Sequence, residues 1–500
     1  MLKPSACQGC VLATRGYSFS KPDGLGTSGV LVVGEGLGHD EAIDGLPFRP
    51  RAQAGSMLEQ AFSLARVKRN QFKLWNMVAC QPPGNELAGA WYEYEAVSRC
   101  RKYFDRVAAS MPQGRMCILA LGNVPLKHLT GYSGVAKDKE SNHYLRGYVL
   151  KSKYGPVVPS YHPSYLRRGA PELLPALVAD IQKAMAVAAG TYTSYDWHPT
   201  YEKPDYNRAP GLDEVQNYCQ YILDNPKLLL SYDIETPKSA EMDEDTRGTD
   251  EDEEGYVEDR GVSIVSIQFS TAKGQGIFLP VEDVPEYMPY AKRILAACNP
   301  KIGHNSRNFD DPILRGQGFT LGGPRHDVMW MFKCLHPELP RGLQSVASWV
   351  DFPFVWKHLF GKQFSWYGCA DVDSLQWIIG PLVQRMKARG VWQGYLAEIH
   401  EAWPALEGMS KLGMPVDGGA WNQLDKDLRL QQAKVESELQ AMVPDEIKNI
   451  HPQRKSKKTG MVSYGYLKDP PQMKALELRY ERGIRYLVSK GKQIITFKDY

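Results

Sequence analysis

Apolar positions along this chain fall into short runs set between longer amphipathic stretches. VLVV at 30–33, LWNMVA at 74–79, CILAL at 117–121 and VVPSY at 157–161 each run into a polar or glycine-bearing turn. Strands of this kind, alternating with helical segments such as AVSRCRKYF, predict a parallel α/β sheet with its functional loops at the strands' carboxyl ends. A second series opens at LLLSYDIET (228–236), a buried strand that carries Asp233 and Glu235 two residues apart and so on one face. VSIVSIQFS at 262–270 reads as the next strand. Tyr367 and Asp371 are spaced i, i+4, on one helical face. From Glu398 onward the pattern predicts two helices broken at Gly413-Met414-Pro415.

Composition adds scale and partners. The chain has 500 residues and is 43% hydrophobic, enough for several cores, and its length suggests about three domains. The expected layout is an α/β domain over 1–190 and a proline-bearing linker over 191–211. A second α/β domain follows over 212–394, with an acidic insertion at 238–260, and then a mainly helical region over 395–500. No run of about 18 apolar residues occurs, and MLKPSACQGC lacks the charged-then-apolar layout of a signal peptide. A cytoplasmic protein without a membrane partner is therefore expected. The net charge of +3 hides an asymmetry, since the first 190 residues are basic and 238–260 is strongly acidic. The basic part suits a polyanion, and the acidic stretch reads as a solvated excursion from a hairpin.

Candidate chemistry lies in two residue sets. Asp233, Glu235, Asp310 in HNSRNFDDPIL and Asp371 in YGCADVD are four acids that cannot all sit together unpaired. Two divalent ions, magnesium or manganese, are their natural counter-charge, and ions about 4 Å apart would clamp the attacking and leaving oxygens of a phosphodiester. The second set is thiols. Cys7 and Cys10 form a C-x2-C, with Cys80 and Cys100 downstream, and four such thiolates hold either a [4Fe–4S] cluster or zinc; spacing does not choose. The other five cysteines read as ordinary core residues.

The turns around the thiols resemble a family 4 uracil-DNA glycosylase over about residues 1–188. The resemblance rests on Gly34-Glu35-x-x-Gly38, Gly45-x-Pro47-Phe48, Asn76-x3-Cys80-x-Pro82-Pro83-x-Asn85 and His162-Pro163-x-Tyr165-Leu166. It implies a [4Fe–4S] cluster on Cys7, Cys10, Cys80 and Cys100, with zinc second. Uracil flipped out of DNA would stack on Phe48, pair its edge with the Asn76 amide, and leave as an anion stabilised by His162. Glu35 would position water or face the growing charge on the sugar. Leu37 stands where members usually have proline, and Gly36 where other families place an Asp. KDKESNHYLRG lacks the basic, histidine-bearing insertion of the subgroup that attaches covalently, so hydrolytic excision is expected. Arg49, Arg51, Arg146, Arg167 and Arg168 are candidate phosphate contacts, and Tyr165 or Leu166 a candidate wedge.

Over about 225–384 the chain resembles the proofreading 3′-5′ exonuclease domain of family A DNA polymerases in its DEDD form with tyrosine. The pieces are the acid-x-acid strand, the helix Asn305-x3-Phe309-Asp310, and Tyr367-x3-Asp371. The resemblance implies a ribonuclease H-like α/β fold, two metals on Asp233, Glu235, Asp310 and Asp371, and Tyr367 orienting the attacking water. Residues 395–500 are similar to the start of a polymerase thumb, with QRKSKKTG at 453–460 facing duplex backbone. No palm or fingers follows, so DNA synthesis is not expected from this chain alone, and a DNA polymerase part or subunit is an expected partner. Together these resemblances imply an enzyme that excises uracil from DNA and trims 3′ ends. The alternatives are a uracil-sensing module fused to a working exonuclease, or an inactive scaffold for a polymerase.

Overall fold

The computed structural model describes residues 3–112, 116–136, 143–192, 204–237, 262–350, 352–413, 417–442, 453–455 and 462–464. Met1–Lys411 is one compact unit and Leu412–Tyr500 another. The acidic stretch 238–260 and most of QRKSKKTG lie outside the described residues.

The first sheet contains β1 (Val30–Gly34), β2 (Lys73–Asn76), β3 (Cys117–Leu121), β4 (Leu150–Ser152) and β5 (Gly155–Ser160), in the order β2-β1-β3-β5-β4. β1 pairs in parallel with β2 and β3, β3 pairs in parallel with β5, and β4 adds antiparallel at the edge. Every residue of β1 and β3 is buried, as central strands covered on both faces must be. Alternate side chains then feed separate cores. Val30 and Val32 meet the helices Gln53–Leu64 and Leu174–Ala189, while Leu31 and Val33 meet Glu93–Ala109.

The second sheet contains β6 (Asp205–Asn207), β7 (Leu230–Glu235), β8 (Ser266–Ser270), β9 (Gln275–Leu279), β10 (Lys301–Gly303) and β11 (Arg325–Asp327). Its order is β11-β10-β7-β8-β9-β6. β7, β8 and β9 form an antiparallel meander, and β10 and β11 continue in parallel from β7. This mixed sheet is the ribonuclease H-like α/β arrangement that the resemblance implied. Within the stretch read as a linker, Asp205–Asn207 instead forms the edge strand β6, parallel to β9. Tyr206 anchors it, donating its hydroxyl to Asp373 at 2.7 Å.

The long helix Phe364–Ala388 lies close over this sheet because two glycines permit it. A Cβ on Gly276 would stand 2.9 Å from the Cys369 side chain, and one on Gly368 2.9 Å from Gln268. The Ser231 hydroxyl donates to the Val372 carbonyl at 2.7 Å, pinning helix to sheet. Downstream, the helix Trp403–Leu412 ends at Gly413, whose φ of 64° terminates it, and the helix Gly418–Met442 follows. Among the described residues no helix is long and apolar enough to cross a membrane.

The two sheets of the first unit are joined through a buried polar cluster. Arg146, 1% exposed, donates to Asp180 at 2.9 Å and to the Ser348 hydroxyl, and its guanidinium lies 4.9 Å from the Trp349 ring. Lys183 donates to the carbonyls of Gly147 and Ser348, and Tyr148 to that of Gln344. Arg146 is thus a structural arginine, not a phosphate contact as its sequence setting suggested. Arg146→Ala would strand the equally buried Asp180 carboxylate and is expected to cost about 3–5 kcal/mol in urea unfolding. The double variant Arg146→Met, Asp180→Leu should recover most of that loss, and a single-variant loss no larger than that of a surface substitution would contradict the buried pair.

Candidate active sites

The first site lies at the carboxyl ends of β1, β2, β3 and β5, where the loops to the following elements begin. It is a cavity of about 540 Å³ lined by Glu35, Phe48, Asn123, His162 and Arg168 among others. Phe48 holds a left-handed φ of 49°, unusual for an aromatic residue. Arg69 sustains it by donating to the Pro47 and Phe48 carbonyls at 2.7 and 2.9 Å while paired to Asp23 and Glu59. Gly34 makes room for the packing, since a Cβ there would sit 2.5 Å from the Phe48 ring and 2.4 Å from Asn76 Oδ1. Asn76 is 1% exposed and its Nδ2 has no hydrogen-bond partner among the described residues. A buried amide left unpaired is costly, and a ligand acceptor at this point would satisfy it.

His162 caps the helix Pro163–Gly169, its Nδ1 accepting from the Ser164 backbone N–H at 3.2 Å. That contact puts the proton of the neutral ring on Nε2. Burial and the nearby Arg168 push its pKa down to about 4, so the imidazole is neutral at pH 7. Its ring centroid lies 5.9 Å from that of Phe48. Burial raises the Glu35 carboxyl above its ordinary range, opposed by backbone N–H groups of Ala88 and Leu87. A Cβ at Gly36 would meet the Val78 methyl at 2.9 Å, which leaves Glu35 as the acid of this turn. Of the wedge candidates, Tyr165 is exposed and Leu166 is buried core.

Sequence reasoning missed Glu41, which lines the cavity, is 5% exposed and accepts from the Gly38 N–H at 2.8 Å. Burial pushes it up to about 7. It missed Arg69 as well. Neither belongs to a periodic pattern; an acid inside a glycine-rich turn was the one visible signal.

Behind this cavity Cys7, Cys10, Cys80 and Cys100 are all buried and none is in a disulfide. Burial raises Cys80 to about 12, with Cys100, Cys7 and Cys10 adding to it, and Cys100 to about 11, with Cys10 and Cys7 adding to it. Thiols in this setting become thiolates only with positive charge among them, as a metal or an iron–sulfur cluster supplies. Four buried thiols are the donors such a group needs, and in this structure no three of their sulfurs lie within 4.8 Å of one another.

The second site lies on β7 and the helix Phe364–Ala388. Ligand atoms of Asp233, Glu235 and Asp371 all lie within 4.8 Å of one another. Asp310, at the start of the helix Asp310–Gly316, is buried and accepts from the Ile234 N–H at 3.0 Å. Burial and neighbouring carboxylates raise Asp233 and Asp310 far above the carboxylate range, and burial with Asp371 raises Glu235 to about 8. Mutually repelling acids of this kind fit a divalent-ion site. A counter-charge is already present. Lys357 Nζ lies 2.9 Å from Asp371 Oδ1 and donates to the Tyr367 hydroxyl at 2.8 Å, while Trp356 Nε1 donates to Asp371 Oδ1 at 2.7 Å. Lys357 and Trp356 carry no motif spacing, and only the fold brings them here.

The fold and cavity of the first half define an α/β domain whose cavity sets an aromatic wall, Phe48, beside polar side chains fixed by the backbone. Residues 23–186 match the Uracil DNA glycosylase superfamily, and this part of the chain is a domain of that superfamily. The type-4 uracil-DNA glycosylases of Pyrobaculum aerophilum and Thermotoga maritima are each 28% identical to it. The alignments span 37% and 36% of this chain and 88% and 87% of those proteins. Solved structures with local similarity include Escherichia coli RNase D, 16% identical, with a TM-score of 0.29 over 41% of this chain and 50% of that one. Brucella melitensis NrnC with bound Mg2+ is 18% identical, with a TM-score of 0.30 over 43% and 96%. The POL domain of Pol1 from M. smegmatis is 18% identical, with a TM-score of 0.32 over 55% and 45%.

Lys357→Met should lower the thermal midpoint in metal-free buffer, because Asp371 loses its ammonium partner among like charges, a loss of about 3 kcal/mol. The same variant should gain more than the wild type on adding magnesium or manganese. Equal gains in both proteins, read by thermal shift, would mean that Lys357 does not balance the acid site.

Proposed function

We propose that this chain is a DNA-processing enzyme with two active sites, one excising uracil by N-glycosidic hydrolysis and the other shortening 3′ ends by metal-dependent hydrolysis. The observation that carries the reading is convergence. Residues scattered along the sequence and singled out for complementary chemistry meet at two places, each at the end of its own sheet.

In the glycosylase site a flipped uracil would stack on Phe48 and give its edge acceptor to the unpaired Asn76 Nδ2, which cytosine's reversed pattern would not satisfy. Neutral His162, with its proton on Nε2, would donate toward O2 as negative charge grows on the departing base, a contribution of a few kcal/mol. Glu35, facing the cavity, would hold a water or oppose the positive charge growing on the sugar. Cys7, Cys10, Cys80 and Cys100 would hold a [4Fe–4S] cluster, which supplies the charge that lets four buried thiols become thiolates; zinc is the second reading. In the exonuclease site Asp233, Glu235, Asp310 and Asp371 would hold two magnesium or manganese ions, which polarise the phosphodiester and activate water. Tyr367, its pKa raised by burial and Asp371, stays protonated and orients the attacking water by hydrogen bonding. Lys357 keeps that hydroxyl in place.

Single-stranded DNA with and without uracil, incubated with and without magnesium, tests both activities. Metal-independent abasic sites and metal-dependent 3′ shortening are expected. Asp233→Ala should abolish shortening and leave excision intact, and Asn76→Asp should impair excision alone. Shortening without abasic sites would favour a uracil-sensing module, and neither activity a scaffold. Iron in protein purified without oxygen would separate the cluster from zinc.

The His162 assignment carries a pH signature. Its folded pKa lies below the ordinary value of about 6.5, so the ring stays neutral as pH falls through 6.5 and charges only near 4. Single-turnover excision should therefore show no histidine inflection between about pH 5 and 8. An inflection near 6.5 that disappears in His162→Asn would count against a permanently neutral donor.

A further inference from the structure

Outside the lining of the first cavity the chain exposes the large aromatic residues Trp91, at 74%, Tyr94, at 64%, and Tyr132, at 50%. Cations accompany two of them. The Arg15 guanidinium lies 6.0 Å from the Trp91 ring centroid, and Lys127 Nζ lies 4.6 Å from that of Tyr94. The Tyr94 ring also meets His128 edge-on at 5.1 Å, which fixes it against the helix Asn123–Thr130. That helix begins at the cavity, which Asn123 lines, and Tyr132 lies just past its other end, its N–H donating to the Thr130 hydroxyl.

From Tyr132 the ring contacts continue toward the second site. Tyr132 meets His143 edge-on at 5.7 Å, and His143 meets His358 at 4.6 Å. His358 adjoins Lys357, whose ammonium touches Tyr367 and Asp371. A run of ring contacts thus leads from Tyr132, at the end of the helix Asn123–Thr130 away from the cavity, toward the acids across the junction of the two sheets.

Exposed aromatic faces with cations beside them suit a polymer of flat apolar rings strung on anions. Single-stranded DNA offers both, whereas a duplex hides its base faces in its own stack. We infer that Trp91, Tyr94 and Tyr132 form a stacking track that holds one DNA strand across both sites. The 3′ end lies at the acids, and the nucleotides upstream of it pass Tyr132 and the helix Asn123–Thr130 to reach the cavity. Arg15 and Lys127 meet phosphates along the way. The inference rests on the two-site reading above and adds that the sites serve the same strand.

The test is the affinity of the full chain for an oligothymidylate long enough to span both sites, with calcium replacing magnesium so that the strand is not cut. Each of Trp91→Ala, Tyr94→Ala and Tyr132→Ala should weaken binding roughly tenfold, the triple variant more, with circular dichroism unchanged. Wild-type tryptophan fluorescence should be quenched on binding, and less so in Trp91→Ala. Affinity for blunt duplex should be unaffected. Hydrolysis of the p-nitrophenyl ester of thymidine 5′-monophosphate, which reaches the acids without crossing the track, should be equal in all variants. A triple variant that binds oligothymidylate within about twofold of the wild type, or that loses duplex and single strand alike, would overturn the track. Failure of the wild type to hydrolyse the ester with magnesium would instead remove the exonuclease reading, leaving the binding result to stand by itself.

Discussion

Four acids gathered around one buried point repel one another, and much of the second half of this chain is arranged to bear that repulsion. β7 supplies Asp233 and Glu235, and the helix Phe364–Ala388 can bring Asp371 beside them because Gly276 and Gly368 let it approach the sheet. The segment leading into that helix answers the charge, with Lys357 as an ammonium and Trp356 as an N–H donor on Asp371. Without that counter-charge, or the ions that would share its task, helix and strand would be pushed apart.

The same segment forms part of the junction between the two sheets. Gln344, Ser345 and Ser348 hydrogen-bond to Tyr144, Tyr148 and Arg146, and His358 packs on His143. The first half responds through buried polar contacts, Arg146 with Asp180 and the hydroxyl pair Tyr144 and Tyr161. Tyr161 immediately precedes His162. The connection between the two halves is therefore a contiguous polar path rather than a loose tether, consistent with Met1–Lys411 behaving as one unit.

The two sites solve opposite electrostatic problems. At the acid site charge is concentrated and requires cations. At the cavity of the first half charge is suppressed. Burial keeps His162 neutral and raises Glu35 and Glu41 in the cavity lining, and the Asn76 amide nitrogen close by is buried without a hydrogen-bond partner among the described residues. Hydrogen bonds made there gain strength from the low local dielectric.

The sequence by itself determined β1, β2, β3, β5, β7 and β8, through the alternation of buried runs and amphipathic helices, and the break at Gly413, through backbone chemistry. It also offered candidate residues for each site, because motifs of close spacing put Asp233 beside Glu235 and Tyr367 one turn before Asp371. Tertiary structure alone decided what no spacing encodes. Arg146, one of the candidate phosphate contacts in the sequence, is buried against Asp180, and Asp205–Asn207 becomes an edge strand because β9 offers it unpaired backbone. Lys357, Trp356, Arg69 and Glu41 join the sites through contacts between elements distant in the chain. Local pattern records which face a residue takes; its charged partner depends on which elements pack together, and that is settled only when the chain folds.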